Sequence, residues 1–241
     1  MEIIPAILAK DYEEMKDKIA LVRGICPIVQ IDFCDGIFVK NKTWPFTTGG
    51  VDDVKFKSIL NEQEGMPFWQ DIDFELDLMV ADAVENFDIY TKLGPKRIIF
   101  HIEAVGNLEE FKNFLEGIDV YVRDIMQIGV AINMTTPIEQ IFSLVNNVDF
   151  VQCMGIEKTG FQGQPFDERA LDNIKTLKEK FPDLIISIDG GVSFETAPKL
   201  IKAGVDRLVA GSLILKSQDI RETVSELESL NCARPCLAQW I

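Results

Sequence analysis

LIISIDGGVSFETAPKLIKAGVDRLVAGS, residues 184–212, contains a complete strand–helix–strand unit. LIISID (184–189) and DRLVAG (206–211) are short apolar runs rich in β-branched residues, which predicts two strands. FETAPKLIKAG (194–204) has apolar residues spaced by three and four and ends in glycine, which predicts a helix between them. Such a unit joins neighbouring parallel strands of one sheet.

The same alternation runs along the whole chain. Six further strand candidates precede the unit: EIIPAIL (2–8), IVQIDF (28–33), DFELDLMV (73–80), RIIFHI (97–102), QIGVAIN (127–133) and VDFVQCM (148–154). Helical candidates lie between them: YEEMKDKIALVR (12–23), AVENFDIYTKLG (83–94), LEEFKNFLEG (108–117), PIEQIFSLVNN (137–147) and ERALDNIKTLKEKF (168–181).

Eight strand–helix units with no Pro, Gly or Ser-rich linker predict an α/β fold with one domain, a (β/α)₈ TIM barrel over residues 1–241. Residues 230–241 are expected to form a short C-terminal tail. An open doubly wound sheet is the alternative, but no GxGxxG turn follows the first strand and the count of strands reaches eight.

The composition limits the partners. A hydrophobic fraction of 47%, with no apolar run of membrane-spanning length, excludes a membrane protein. The net charge of −15 and the scattered basic residues disfavour nucleic acid. The amino terminus lacks a secretion signal, and five cysteines in an odd set fit reduced thiols, so we expect a cytoplasmic protein. The tail pair Cys232 and Cys236 has too few neighbouring ligands for a zinc site.

Acidic residues stand at the carboxyl ends of three predicted strands: Asp32, with Gln30 on the same face, then Asp77, and Asp189. Because these strand ends meet at one face of a barrel, the side chains are expected to converge. A buried carboxylate needs a partner or a metal ion, so a cluster of three favours a functional site. Solvated strand ends or helix caps are the alternative interpretation.

Three glycine-bearing segments of the second half predict a phosphate site. They are GFQGQ (160–164), DGG (189–191) and GS (211–212), the last at the start of a short helix. Backbone amides after strands seven and eight bind phosphate in many barrels of this kind. The predicted phosphate or substrate residues are Gly160, Gln162, Gly163, Gly190, Gly191, Gly211 and Ser212. The ligand is therefore expected to be a small phosphorylated molecule.

Taken in order, these segments resemble the ribulose-phosphate 3-epimerase family. The matching stretches are QIDFCDGIFVKN (30–41), ELDLMV (75–80), FHIEA (100–104), GVAINMTTPIE (129–139), GFQGQPF (160–166), IDGGV (188–192) and VAGS (209–212). The resemblance implies a ketopentose phosphate as substrate. It also implies that one aspartate removes the proton beside the ketone and the other returns it to the opposite face. Asp32 and Asp189 match these two acid/base positions.

The family holds a divalent metal with two histidines and the same two aspartates, and here the chain departs from it. The histidine positions are Gln30 and Asp77, a serine of the first strand is Ala6, and the loop before GFQGQ lacks the family's proline and is longer. Gln30, Asp32, Asp77 and Asp189 make an all-oxygen set, which predicts a hard cation such as Mg²⁺ or Mn²⁺ over zinc.

The remaining candidates are cavity-lining residues. Met79 and Asn133 match family positions that line the cavity, and Ala6, His101 and Met154 are expected beside them. The lone His101 is either a hydrogen-bonded core residue or a catalytic group. Two other functions stay open: a non-catalytic phosphosugar-binding barrel, or a related phosphosugar isomerase or decarboxylase. A homo-oligomer is compatible with the sequence.

Overall fold

A computed structural model describes residues 1–230 and contains a closed barrel of eight parallel strands. The strands are β1 (Glu2–Ile7), β2 (Ile28–Cys34), β3 (Asp73–Met79), β4 (Arg97–His101), β5 (Gln127–Ile132), β6 (Phe150–Met154), β7 (Ile185–Asp189) and β8 (Arg207–Ala210). Each strand pairs with the next, and β1 pairs with β8, which closes the barrel. The predicted (β/α)₈ fold is confirmed.

Helices follow the strands and cover the outer face of the barrel. They are α1 (Tyr12–Val22), α2 (Val54–Leu60), α3 (Phe87–Thr91), α4 (Leu108–Gly117), α5 (Val120–Ile125), α6 (Arg169–Lys180), α7 (Ala197–Ala203), α8 (Ser212–Leu215) and α9 (Ile220–Ser229). Several helices begin after a residue whose side chain accepts hydrogen bonds from backbone amides of the first turn. Asp11 does so for α1 and Asn107 for α4. No helix among residues 1–230 is long and apolar enough to cross a bilayer.

The predicted strands agree with the observed ones to within two residues at each end. The predicted helix 83–94 is too long, because only Phe87–Thr91 is helical, and one further helix prediction is wrong. The segment 137–147 forms two 3₁₀ turns, Ile138–Ile141 and Val145–Asn147, instead of an α-helix. Its β-branched residues and closing asparagines have low helix propensity, and the short segment lacks a side-chain cap at its first turn.

The barrel interior is polar at both ends of the strands. At the amino-terminal end, Arg97 pairs with Glu2 at 2.9 Å and with buried Glu75 at 3.2 Å, and Arg207 reaches Glu2 at 3.1 Å. These opposite charges neutralise one another, so this end of the barrel is closed by an ion network. The carboxyl-terminal end carries the predicted site.

The cysteines that the structure describes, Cys26, Cys34 and Cys153, are free and buried, in agreement with the expected reduced thiols. The predicted tail, with Cys232, Cys236 and Trp240, lies outside the described residues apart from Leu230.

Candidate active site

Three carboxylates meet at the carboxyl ends of the strands. Asp32 of β2 and Asp77 of β3 are direct partners in the ladder, and Asp189 is the last residue of β7. One carboxylate oxygen of each lies within 4.8 Å of the others. The strand positions in the sequence predict this convergence, because a parallel barrel aligns all strand ends at one face.

Gln30 lies between two of the aspartates. Its Nε2 donates to Asp32 Oδ1 at 2.8 Å and to Asp189 Oδ2 at 3.0 Å. The Gln30 side chain is fully buried, and its Oε1 has no hydrogen-bond partner within residues 1–230. The amide therefore ties β2 to β7 across the barrel and leaves one buried oxygen available.

Asp77 has its own two partners. His101 Nε2 lies 2.8 Å from Asp77 Oδ1, and Gln152 Nε2 donates to Asp77 Oδ2 at 3.3 Å. All three side chains are fully buried. Of the two interpretations of His101, the structure matches the hydrogen-bonded core residue, with its bond directed at the carboxylate cluster.

Asp32, Asp189 and His101 bind protons more tightly than isolated side chains do. Burial raises the pKa of Asp32, and the charges of Asp189 and Asp77 raise it further. The pKa of Asp189 is raised by burial and then by the charge of Asp77. Burial alone lowers the pKa of His101, but the charge of Asp77 and the hydrogen bond to it outweigh burial and raise the pKa overall. Near neutral pH, Asp32 and Asp189 therefore retain protons that exposed aspartates release.

A cavity opens above the aspartates, called the inner cavity here. Most of the predicted site residues line it: Ala6, Asp32, Met79, Met154, Gly160, Gln162, Gly163, Asp189, Gly190, Gly191, Gly211 and Ser212. Gly190 and Gly191 have positive φ angles of 93° and 70°. A Cβ at Gly190 would lie 2.7 Å from Ile156, so the backbone turns sharply where only glycine fits.

The loop after β2 and the loop after β6 meet over this face. Asn41 Nδ2, after β2, donates to the carbonyl of Gly160, after β6, at 2.8 Å. Gln162 Nε2 donates to the carbonyl of Ala6 at 3.0 Å. These bonds fix the glycine-bearing loop against β1 and the β2 loop.

The other predicted residues lie around the inner cavity. Gln30, Asp77 and His101 are fully buried beneath it. Gln30 bonds to the two carboxylates that line it, and His101 bonds to Asp77. Asn133 lines a second cavity, the outer cavity, and its Oδ1 accepts a hydrogen bond from Thr159 at 2.8 Å. Sequence reasoning missed Gln152, although it lies two residues before Met154 and alternation places both inside the barrel.

Comparison with known proteins identifies the family. Residues 2–215 match the ribulose-phosphate 3-epimerase family. The chain belongs to this family. A ribulose-phosphate 3-epimerase of Bacillus subtilis is 29% identical over 234 residues, which cover 94% of this chain and 98% of that protein. One of Eremothecium gossypii is 29% identical over 229 residues, covering 94% and 91%. The resemblance predicted from the motifs is confirmed.

Solved structures agree on the fold. The 3-keto-L-gulonate-6-phosphate decarboxylase of Vibrio cholerae superposes with a TM-score of 0.67 at 12% identity, covering 96% of this chain and 97% of that one. The 3-hexulose-6-phosphate synthase of Salmonella typhimurium gives 0.65 at 14% identity, covering 96% and 99%. At this identity the likeness concerns the barrel alone.

Proposed function

We propose that this protein is an epimerase of a ketopentose phosphate, of the ribulose 5-phosphate and xylulose 5-phosphate type, with Asp32 and Asp189 as the acid/base pair. The observation that carries the proposal is that a buried carboxylate, Asp32, and a half-buried one, Asp189, line one cavity and share the Gln30 amide. Membership of the family and the names of the relatives support the substrate class.

Epimerisation needs one proton acceptor and one proton donor on opposite faces of the reacting carbon. The raised pKa values of Asp32 and Asp189 suit these roles, because one carboxyl can hold a proton near neutral pH while the other is ionised. Gln30 donates to both, so it holds the two oxygens in place whichever of the pair carries the proton.

The glycine-bearing loops provide the other anchor. In the proposal the backbone amides of Gly163, Gly190, Gly191 and Gly211, with Ser212 at the start of α8, surround the substrate phosphate. Amides can bind an anion locally although the chain as a whole carries a net charge of −15. Anchoring the phosphate orients the sugar toward the aspartates.

The residues present also fit a divalent cation. Asp32, Asp77 and Asp189 offer oxygens within 4.8 Å of one another. Gln30 has a buried oxygen without a partner in the described part of the chain, and turning its amide over would direct this oxygen, in place of Nε2, toward a cation held by Asp32 and Asp189. Such a set favours Mg²⁺ or Mn²⁺ over zinc. When bound, the cation would supply electrostatic stabilisation of negative charge on the substrate oxygens. We propose this role for the four residues.

The charge and composition of the chain bear on where the protein acts and what it binds. We propose a cytoplasmic enzyme that acts on a small phosphorylated sugar and binds neither nucleic acid nor membrane, and that is able to form homo-oligomers. The acidic net charge and the absence of a membrane-spanning helix within residues 1–230 support this setting.

The test is proton NMR of ribulose 5-phosphate, and separately of xylulose 5-phosphate, in heavy water with the protein and Mg²⁺ or Mn²⁺. Loss of the hydrogen at carbon three, with interconversion of the sugars, is expected. Asp32→Asn and Asp189→Asn should each abolish interconversion. Each should retain solvent exchange in one epimer only, and in opposite epimers, because each aspartate serves one face. Asp172→Asn, an exposed carboxylate on α6, is the matched control.

Absence of exchange with either cation, while the sugar phosphates bind, would contradict the proposal and favour the phosphosugar-binding barrel. Exchange in both epimers by Asp32→Asn would refute its assigned role while leaving the reaction class intact.

A further inference from the structure

Gln152 of β6 is a fully buried polar residue that the proposed chemistry does not use. It lies two residues before Met154, so strand alternation directs both side chains into the barrel. Met154 lines the inner cavity and Gln152, one layer deeper, does not. Any effect of Gln152 on a ligand in this cavity must therefore pass through another residue.

That residue is Asp77. Gln152 Nε2 donates to Asp77 Oδ2 at 3.3 Å, across the barrel from β6 to β3. The other oxygen of this carboxylate, Oδ1, lies 2.8 Å from His101 Nε2. Each oxygen of Asp77 thus has a nitrogen partner on a different strand, so the carboxylate cannot turn or move away without losing a hydrogen bond.

This restraint matters because Asp77 lies beside two other carboxylates. One oxygen from each of Asp32, Asp77 and Asp189 lies within 4.8 Å of the others. Like charges at such distances repel, and an unrestrained Asp77 would turn its oxygens away from the other two. The two nitrogen partners oppose this movement and keep an oxygen of Asp77 beside those of Asp32 and Asp189, as a shared cation requires.

The direction of the Gln152 amide is set by Asp77. Turning the amide over would place Gln152 Oε1 against Asp77 Oδ2, so that two acceptors would face each other. In the observed direction, Oε1 is buried without a partner among residues 1–230. Burying an oxygen in this way costs stability, so Gln152 is better explained by the bond that its nitrogen makes to Asp77 than by stabilisation of the barrel.

We infer that Gln152 is a positioning residue, which holds Asp77 in place as a ligand of a divalent cation such as Mg²⁺ or Mn²⁺. The inference rests on the proposed function for its cation site, and not for the reaction or the sugar. Residues that hydrogen-bond to metal-binding carboxylates orient them, and losing such a partner weakens metal binding by about 10–100-fold.

Calorimetric titration of the dialysed protein with Mn²⁺ tests the inference. Gln152→Met keeps the length of the side chain and removes the donor, so the dissociation constant for Mn²⁺ should rise by about tenfold. The affinity for D-ribitol 5-phosphate, an unreactive sugar phosphate, should stay at the wild-type value when it is measured without metal. Gln152→Asn is the second variant. It keeps an amide but shortens its reach, so it should lose affinity for Mn²⁺ as well.

Gln127→Met is the matched control, because it makes the same substitution at the amino-terminal end of the barrel. Gln127 Oε1 accepts from Arg97 Nε and from Arg207 Nη2, each at 3.1 Å. Its loss should lower the denaturation temperature and leave the dissociation constant for Mn²⁺ unchanged. If Gln152→Met gave this same result, lower stability with unchanged affinity, Gln152 would have a structural role only and the inference would be overturned.

An Asp77→Leu background shows the route of the effect. There Gln152→Met should leave the affinity for Mn²⁺ nearly unchanged, because the carboxylate through which it acts is gone. A loss of about tenfold in that background would show that Gln152 acts on the cation by another route, and would refute the positioning role.

The inference and the proposed reaction can fail separately. An affinity for Mn²⁺ that depends on Gln152, without proton exchange at carbon three, would uphold the positioning role and refute the epimerase. Proton exchange with an affinity for Mn²⁺ that Gln152→Met leaves unchanged would do the reverse. Absence of Mn²⁺ binding to the wild type would refute the inference outright.

Discussion

His101 Nε2 lies 2.8 Å from Asp77 Oδ1, with both side chains fully buried. The imidazole beside Asp77 comes from the next strand, β4. A carboxylate next to Asp32 and Asp189 is thereby given a positive or proton-donating partner. The pair explains how three aspartates are accommodated inside one barrel.

Removing the imidazole should destabilise the protein. We expect His101→Leu to lower the free energy of unfolding at pH 7 by about 3 kcal/mol, because it leaves a buried carboxylate without its partner. Urea denaturation followed by circular dichroism measures this value.

A double-mutant cycle separates the pair from the packing of the ring. In an Asp77→Leu background, His101→Leu should lower the free energy of unfolding by at least about 1 kcal/mol less than it does in the wild type. Coupling energies between contacting groups are roughly of this size. Equal costs in both backgrounds would show that the ion pair contributes nothing and that the ring acts by packing alone.

Stability should depend on pH through Asp189. Its folded pKa is raised above the unfolded value of about 3.9, so the native state binds more protons than the unfolded state between the two values. The contribution of Asp189 to stability is therefore present below about pH 4 and is lost as the pH rises through the folded pKa. The free energy of unfolding of Asp189→Asn should equal that of the wild type near pH 4. At pH 7.5 it should exceed the wild-type value by about 1–3 kcal/mol.

Thermal and urea denaturation of both proteins across this range measure the difference. Mn²⁺ should raise the stability of the wild type at pH 7.5 more than that of the Asn variant, because the cation neutralises the same carboxylates. A difference that shrinks as the pH rises would contradict the raised pKa of Asp189.

The sequence predicts the barrel well because each strand and helix is indicated by the pattern of apolar residues within its own segment. Apolar runs and intervening amphipathic segments define each unit, and eight units close in only a few ways. The convergence of Asp32, Asp77 and Asp189 follows from their places at strand ends. The direction of the Gln30 amide could not be predicted, because it depends on distances across the barrel between β2 and β7.

Other features depend on side chains from distant segments. The pairing of His101 with Asp77 requires the position of β4 beside β3, and a lone histidine gives no signal for it. The outer cavity was missed because its lining comes from loops after β2, β5 and β6, which are far apart in sequence.

The all-oxygen composition of the proposed cation site should determine which metal ion it prefers. Gln30→His places an imidazole among the oxygens, and imidazole suits zinc better than Mg²⁺ or Mn²⁺. The ratio of zinc to manganese affinity should therefore rise by about tenfold relative to the wild type, a difference of roughly 1.4 kcal/mol. Titrating dialysed protein with zinc and with manganese in a calorimeter gives the two dissociation constants.

Gln30→Leu is the control, since it removes the oxygen without adding a nitrogen. It should weaken manganese binding and leave the selectivity ratio near that of the wild type. If neither ion binds to the wild type, the all-oxygen site is refuted.

Gly155 couples the packing of the barrel to the glycine-bearing loops. Its amide donates to the carbonyl of Asp189 at 2.7 Å, and a Cβ at this position would lie 2.2 Å from the carbonyl oxygen of Gly190. Because the obstructing atom is backbone, Gly155→Ala should displace Gly190 and cost about 1–3 kcal/mol of stability. The affinity for ribitol 5-phosphate should fall together with stability, because Gly190 lines the inner cavity. Calorimetry and urea denaturation measure the two effects.

Gly106→Ala, where a Cβ meets nothing within 4 Å, is the control and should change neither stability nor ligand affinity. Unchanged ligand affinity in a destabilised Gly155→Ala variant would show that Gly190 takes no part in holding the phosphate.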